Sequence, residues 1–263
     1  MLNLFRQPPQ PDTLIHCSYH KCLTLYVTRV FKKLYGDQPT ADGSGGYRHF
    51  TSQIEQFYAH RHQYRVASVN NHALDFSQFP GEMRITRFIR DPRDLVVSGY
   101  FYHKKGAEPW SRETDPDPVD YRHLVNGCLP EQLAPGESYR DCLERLDIEA
   151  GLIAEIDFRR YHFESMRNWN LEDPRIKLFR YEEIIGREQQ TFKQMLHFYR
   201  APRALRSRGL VLARRFSAKR QTNPIRHIRN PSPGQWRSHF TPKVTDYFND
   251  RYRDILALYD YPL

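Results

Sequence analysis

The stretch Thr13-Leu14-Ile15-His16-Cys17, continuing into Ser18-Tyr19-His20-Lys21-Cys22-Leu23-Thr24, decides how the chain is read. Its first five residues have the apolar character of a short buried strand. Tyr26, Val27, Val30, Phe31 and Leu34 then recur at helical spacing, and Gly36 suits a left-handed helix end. Strand, tight turn and helix start together bring backbone N–H groups and a cation to one place, where an anion can meet them. Lys21 and Thr24 supply the lysine and hydroxyl that such a turn needs, but the glycines of the kinase pattern GxxxxGK[ST] are missing. A plain strand-to-helix turn with an exposed lysine fits the same residues.

A second segment repeats the design. Arg84 to Ile89 reads as a strand, Arg90-Asp91-Pro92-Arg93-Asp94 as a turn, and Asp94 to about His103 as a helix that carries Ser98. An arginine fork with a hydroxyl on the adjoining helix can hold a phosphate. Equally, Arg90 could pair with Asp91 or Asp94 as a solvated ion pair of little consequence. Two such turns on one sheet would grip a ligand with phosphates at both ends.

Further strands are expected at Tyr64 to Val69, running into Asn70-Asn71-His72, and at Ile176 to Tyr181. Helical patterns cover Tyr139 to Arg160, continuing to Trp169, then Phe192 to Tyr199, and a last stretch opened by Thr241-Pro242. This alternation predicts a single α/β domain over residues 1–263, with a central mostly parallel sheet flanked by helices. Residues 104–140, rich in proline and acids, read as a long irregular insertion that serves as an acceptor loop, with Trp110 shaping the acceptor pocket. From Arg203 to Arg229 there are nine Lys or Arg residues and no acid, so 203–240 is read as a basic lid or a solvated surface.

The chain carries 40 Lys and Arg against 31 Asp and Glu, a formal charge of +9, which favours acidic partners without choosing among them. Four cysteines without metal-ligand spacing argue against a disulfide framework or a structural zinc site. No segment has the length and apolarity of a signal or membrane span, so a soluble, cytoplasmic protein is the expectation.

Together these segments resemble the sulfotransferases that use 3′-phosphoadenosine 5′-phosphosulfate (PAPS). The family's 5′-phosphosulfate loop, Tyr-Pro-Lys-Ser-Gly-Thr-Thr-Trp, is matched by Tyr19-His20-Lys21-Cys22-Leu23-Thr24-Leu25-Tyr26. Its 3′-phosphate segment, Arg-Asn-Pro-Lys-Asp-x-x-x-Ser, is matched by Arg90 through Ser98. Phe179-Arg180-Tyr181-Glu182-Glu183 is similar to Phe-Tyr-Glu-Asp, and Arg229 to Trp236 is similar to the C-terminal Arg-Lys-Gly-x-x-Gly-Asp-Trp. The four matches occur in the family's order.

The resemblance implies a P-loop nucleoside triphosphate hydrolase-like sulfotransferase fold. PAPS would be the sulfuryl donor, adenosine 3′,5′-bisphosphate (PAP) the product, and no metal would be required. It implies that Lys21 reaches the bridging oxygen, that amides from Lys21 through Cys22 and Leu23 to Thr24 hold the 5′-phosphate, and that Tyr26 and Tyr181 lie near the adenine; if the basic 203–229 run is a lid over the donor, Phe216 could stack there too. Arg90, Ser98 and Arg229 would take the 3′-phosphate. His72, eighteen residues before Arg90, stands where the family places its general base, and Glu55 is the candidate if a glutamate serves instead. Leu23 departs from the loop glycine, and a leucine is expected to avoid positive φ and force another backbone path. The acceptor would be a hydroxyl-bearing small molecule or glycan, with no nucleic acid expected. Two other readings stay open: a P-loop kinase of a small metabolite, and a non-catalytic binder of acidic glycan or nucleic acid.

Overall fold

β1 (Thr13–Ser18) is the middle strand of a five-stranded, all-parallel sheet of order β2-β3-β1-β4-β5. The computed structural model describes residues 13–41, 43–79, 81–217 and 230–263. After β1 come α1 (Thr24–Tyr35), β2 (Tyr47–His49), α2 (Ile54–His60) and β3 (Val66–Asn70). The chain then crosses β1 to lay down β4 (Met83–Ile89), followed by α3 (Pro92–His103), α4 (Pro118–Val125), α5 (Tyr139–Arg145), α6 (Ile148–Phe158) and α7 (Arg160–Arg167). β5 (Ile176–Arg180) completes the sheet. α8 (Tyr181–Ile184), α9 (Glu188–Phe198), α10 (Arg203–Phe216), α11 (Trp236–His239) and α12 (Pro242–Leu258) follow.

A parallel sheet is buried on both faces, so its strands read as apolar runs without alternation. β1 shows this: Leu14 packs into the larger core with Val27 and Phe31 of α1, while Ile15 and Cys17 point the other way, toward Phe57 of α2 and Trp169. β1 pairs with β3 up to Ser18 and Asn70 and with β4 up to Cys17 and Arg87. The carboxyl ends of the three central strands therefore lie side by side, which is where open α/β sheets bind ligands. Their three loops carry Lys21, His72 and Arg90.

Several expectations need correction. β2 went unforeseen because three residues are too few to show a period. The helix expected from Tyr139 to Trp169 is three helices. It breaks where Asp147 caps α6 through the Ala150 N–H, and again at Arg159. The insertion 104–140 is not wholly irregular, since Asp117 and Pro118 cap and open α4 and Thr114 bridges to Ser138. Trp110 lies stacked on Phe158 at 5.5 Å, against the core.

Candidate active site

The turn after β1 takes a backbone path that a leucine was not expected to allow. Lys21 adopts φ 72° and Leu23 φ 60°, both left-handed. Such residues cost about 1–2 kcal/mol each, so neighbouring bonds must hold them. Those bonds are present: the His20 N–H donates to Asn71 Oδ1 at 2.8 Å and the Cys22 N–H to the Tyr19 carbonyl at 2.9 Å. The Cys22 side chain is buried in the core and its amide is taken, so Cys22 anchors the turn and does not face a ligand. Leu23 is the N-cap of α1, with no side-chain cap and no acid in the first turn. A helix start of this kind presents unfilled N–H groups to an anion.

The turn after β4 is built by its two aspartates. Asp91 caps α3 through the Arg93 N–H and binds the Arg93 side chain at 2.8 and 3.0 Å, which commits it away from Arg90. Arg90 is only 3% exposed, so the solvated ion pair is ruled out. Its guanidinium lies 4.2 Å over the Tyr181 ring, Nη1 donates to the Lys21 carbonyl at 3.4 Å, and Nη2 stands 3.6 Å from Asp94 Oδ2. Nε and Nη2 are buried without a hydrogen-bond acceptor. Buried donors left in this state fit a site built for an anion.

One cavity of about 460 Å³ takes in Lys21, Leu23, Thr24, Tyr26, Arg90, Ser98, Tyr181 and Phe216. Thr24 Oγ1 lies 3.0 Å from Ser18 Oγ. The Tyr26 hydroxyl donates to the Ala213 carbonyl at 3.0 Å, fastening α1 to α10, while that of Tyr181 donates to the Pro231 carbonyl at 2.8 Å. Arg229 lies outside the described residues.

At the far end Lys21 Nζ sits 3.5 Å from the centroid of the Tyr102 ring. Burial, then the charges of Arg159 and Arg90, lower its pKa from 10.5 to about 7. His20 and Glu108 line the same end of the cavity. Burial, followed by the charges of His103, Lys21 and Arg159, pushes His20 well below its usual range, which favours the neutral ring. His20 stacks on His103 at 5.2 Å. Behind them the fully buried Glu155 accepts from His103 Nδ1 at 2.7 Å, from the Tyr139 hydroxyl at 2.7 Å and from Arg159 Nε at 2.8 Å. Gly99 makes room for this cluster, because a Cβ there would stand 2.0 Å from Glu155 Oε1. His20 fills the proline position of the family's loop, and nothing in its spacing marks it as a cavity residue.

His72 is not brought together with Lys21. Its Nε2 donates to the Ser52 carbonyl at 2.7 Å, and it lines a second cavity of about 300 Å³ with Glu55, Arg122 and Tyr161. Burial foremost lowers its pKa as well. Asn71, at φ 66°, bridges the two cavities: Oδ1 accepts the His20 N–H, and Nδ2 donates to Ser52 Oγ at 2.8 Å. Among the described residues, no three His, Cys, Asp or Glu are grouped to hold a metal, and no helix is long and apolar enough to cross a membrane.

Residues 5–260 match the sulfotransferase domain family. Among solved structures the chain is similar to mouse sulfotransferase SULT7A1 complexed with PAP. That likeness has a TM-score of 0.54 and 17% identity over 95% of this chain and 85% of that one, and it shows a shared fold. It is also similar to retinol dehydratase in complex with androsterone and inactive cofactor PAP, with a TM-score of 0.49 and 15% identity over 99% and 84% of the two chains. No curated protein sequence matches it.

Proposed function

Because the chain belongs to the sulfotransferase family, we propose that the cavity lined by Lys21 and Arg90 binds PAPS, whose sulfuryl group passes to a hydroxyl or amine of an acceptor. The observation that carries this is Arg90, buried with two donors unfilled and bonded to the carbonyl of Lys21. Arg90 and Ser98 hold the 3′-phosphate, the start of α1 with Thr24 holds the 5′-phosphate, and Tyr181, Tyr26 and Phe216 border the adenine.

Sulfuryl transfer breaks the bond between sulfur and the bridging oxygen while the acceptor oxygen or nitrogen bonds to sulfur from the opposite side. PAP leaves with the bridging electron pair, and the acceptor gives up its proton. Positioning and charge stabilisation carry most of the barrier lowering in the related phosphoryl transfers. Lys21, as an ammonium, neutralises the bridging oxygen as it gains charge. The proton needs a neutral base within reach of the cavity. His20 meets that condition on the Lys21 wall, whereas His72 would first have to give up the Ser52 carbonyl.

Transfer of labelled sulfur from PAPS to a panel of phenols, alcohols, amines and sugars tests the function. The expected result is PAPS-dependent product without magnesium, with His20→Gln losing more turnover than His72→Gln at unchanged PAP affinity. Turnover of magnesium-ATP in its place, or equal affinity for PAP and adenosine 5′-phosphate, overturns the reading.

A further inference from the structure

Asp94 lies on the first turn of α3, four residues beyond Arg90, and is 0% exposed. Its Oδ2 accepts the Gly234 N–H at 2.7 Å and stands 3.6 Å from Arg90 Nη2, while Oδ1 accepts the Trp236 N–H at 3.0 Å. One carboxylate thus engages both the arginine at the end of β4 and the segment leading into α11. That segment borders the cavity through Asn230 and Pro231. Tyr181 spans the same gap, with its ring under Arg90 and its hydroxyl on the Pro231 carbonyl.

By charge alone this carboxylate is out of place. Beside a phosphate site, a buried negative group repels the ligand and weakens the pull of its arginine. Holding geometry is the contribution that can offset the repulsion. An arginine fork recognises phosphate only when its donors are aimed, and a buried carboxylate bound to two fixed amides is a rigid reference for aiming them.

We propose that Asp94 is the positioning residue for 3′-phosphate selectivity, fixing Arg90 and the 230–236 segment in one frame so that the cavity prefers PAP over adenosine 5′-phosphate. This rests on the donor reading above. The proposal and the plain electrostatic effect differ in sign, which makes the test sharp.

Calorimetric affinities for PAP and adenosine 5′-phosphate are compared between the wild type and Asp94→Asn, a nearly isosteric change that removes the charge and turns one acceptor into a donor. The expected result is PAP weakened about tenfold or more and adenosine 5′-phosphate changed less than about threefold, so that the ratio collapses. Tighter PAP binding would mean that Asp94 acts only as a nearby negative charge. Parallel weakening of both ligands would mean a general structural role. Either overturns the proposal. A wild type with no preference for PAP removes the donor reading itself, and the proposal with it. Should Asp94→Asn fail to fold, amide exchange on the wild type decides: PAP, and not adenosine 5′-phosphate, slows exchange across residues 231–240. Equal protection by the two nucleotides overturns the proposal.

Discussion

Arg90 Nη1 donates to the main-chain carbonyl of Lys21 across 3.4 Å, so the turn after β4 is bonded to the turn after β1. Parallel pairing of the two strands makes this possible, because it brings their carboxyl ends, and hence both turns, to the same edge of the sheet. The two anion sites therefore share one frame. A ligand spanning them meets groups whose spacing is already set, and such preorganisation reduces the cost of binding.

Lys21 should take up a proton when PAP binds. In the free protein its pKa is lowered to about 7, first by burial and then by Arg159 and Arg90. A bound anion favours the ammonium and raises that pKa. Between the two values, then, binding absorbs a proton and affinity falls as pH rises, by up to about tenfold per pH unit. Below the free-state value the proton is already in place and affinity levels off. Calorimetry near pH ~8 in buffers of different ionisation heat checks this. Lys21→Met should abolish the uptake, and a wild type without it would contradict the assignment.

Leu23 pays for the turn in backbone strain at φ 60°, where glycine would not. Burial of its partly exposed side chain offsets some of that. Leu23→Gly should change stability by no more than about 1 kcal/mol in denaturant unfolding, against the 2–5 kcal/mol lost when a well-packed leucine is truncated. A loss above about 2 kcal/mol would show that packing, not strain, dominates this position.

Gly99→Ala should be severe. The added methyl would clash with the Glu155 carboxylate and the Arg159 guanidinium, both fully buried. Overpacking and displacement of a buried ion pair together should cost about 3 kcal/mol in the same unfolding measurement. A neutral effect would mean that the cluster can move aside.

His72→Ala should leave PAP affinity within about twofold of the wild type, since the ring lies in the neighbouring cavity. A large loss in a calorimetric titration would place His72 on the donor after all.

Much of this was legible in the sequence because it rests on short-range pattern. The apolar runs before Lys21 and Arg90 are β1 and β4, and Thr241-Pro242 does open α12. What escaped depends on tertiary context. Leu23 is left-handed against its own preference, in a turn whose entry at His20 is tied to the distant Asn71. His72 follows a strand as the family pattern asks, yet Asn71 at φ 66° turns the chain so that the next ring enters the second cavity. His20 is conspicuous only once His103, Glu155 and Arg159 have been folded behind it, from helices more than eighty residues away in the chain.

The most direct test titrates PAP, adenosine 5′-phosphate and adenosine 3′-phosphate into the wild type, Lys21→Ala and Arg90→Ala. Each substitution should weaken PAP by about thirtyfold or more, a typical loss for one charged contact to phosphate. Arg90→Ala should spare adenosine 5′-phosphate, and Lys21→Ala should spare adenosine 3′-phosphate. If both substitutions leave PAP binding intact, or each weakens the two monophosphates alike, Lys21 and Arg90 do not clasp opposite ends of one nucleotide.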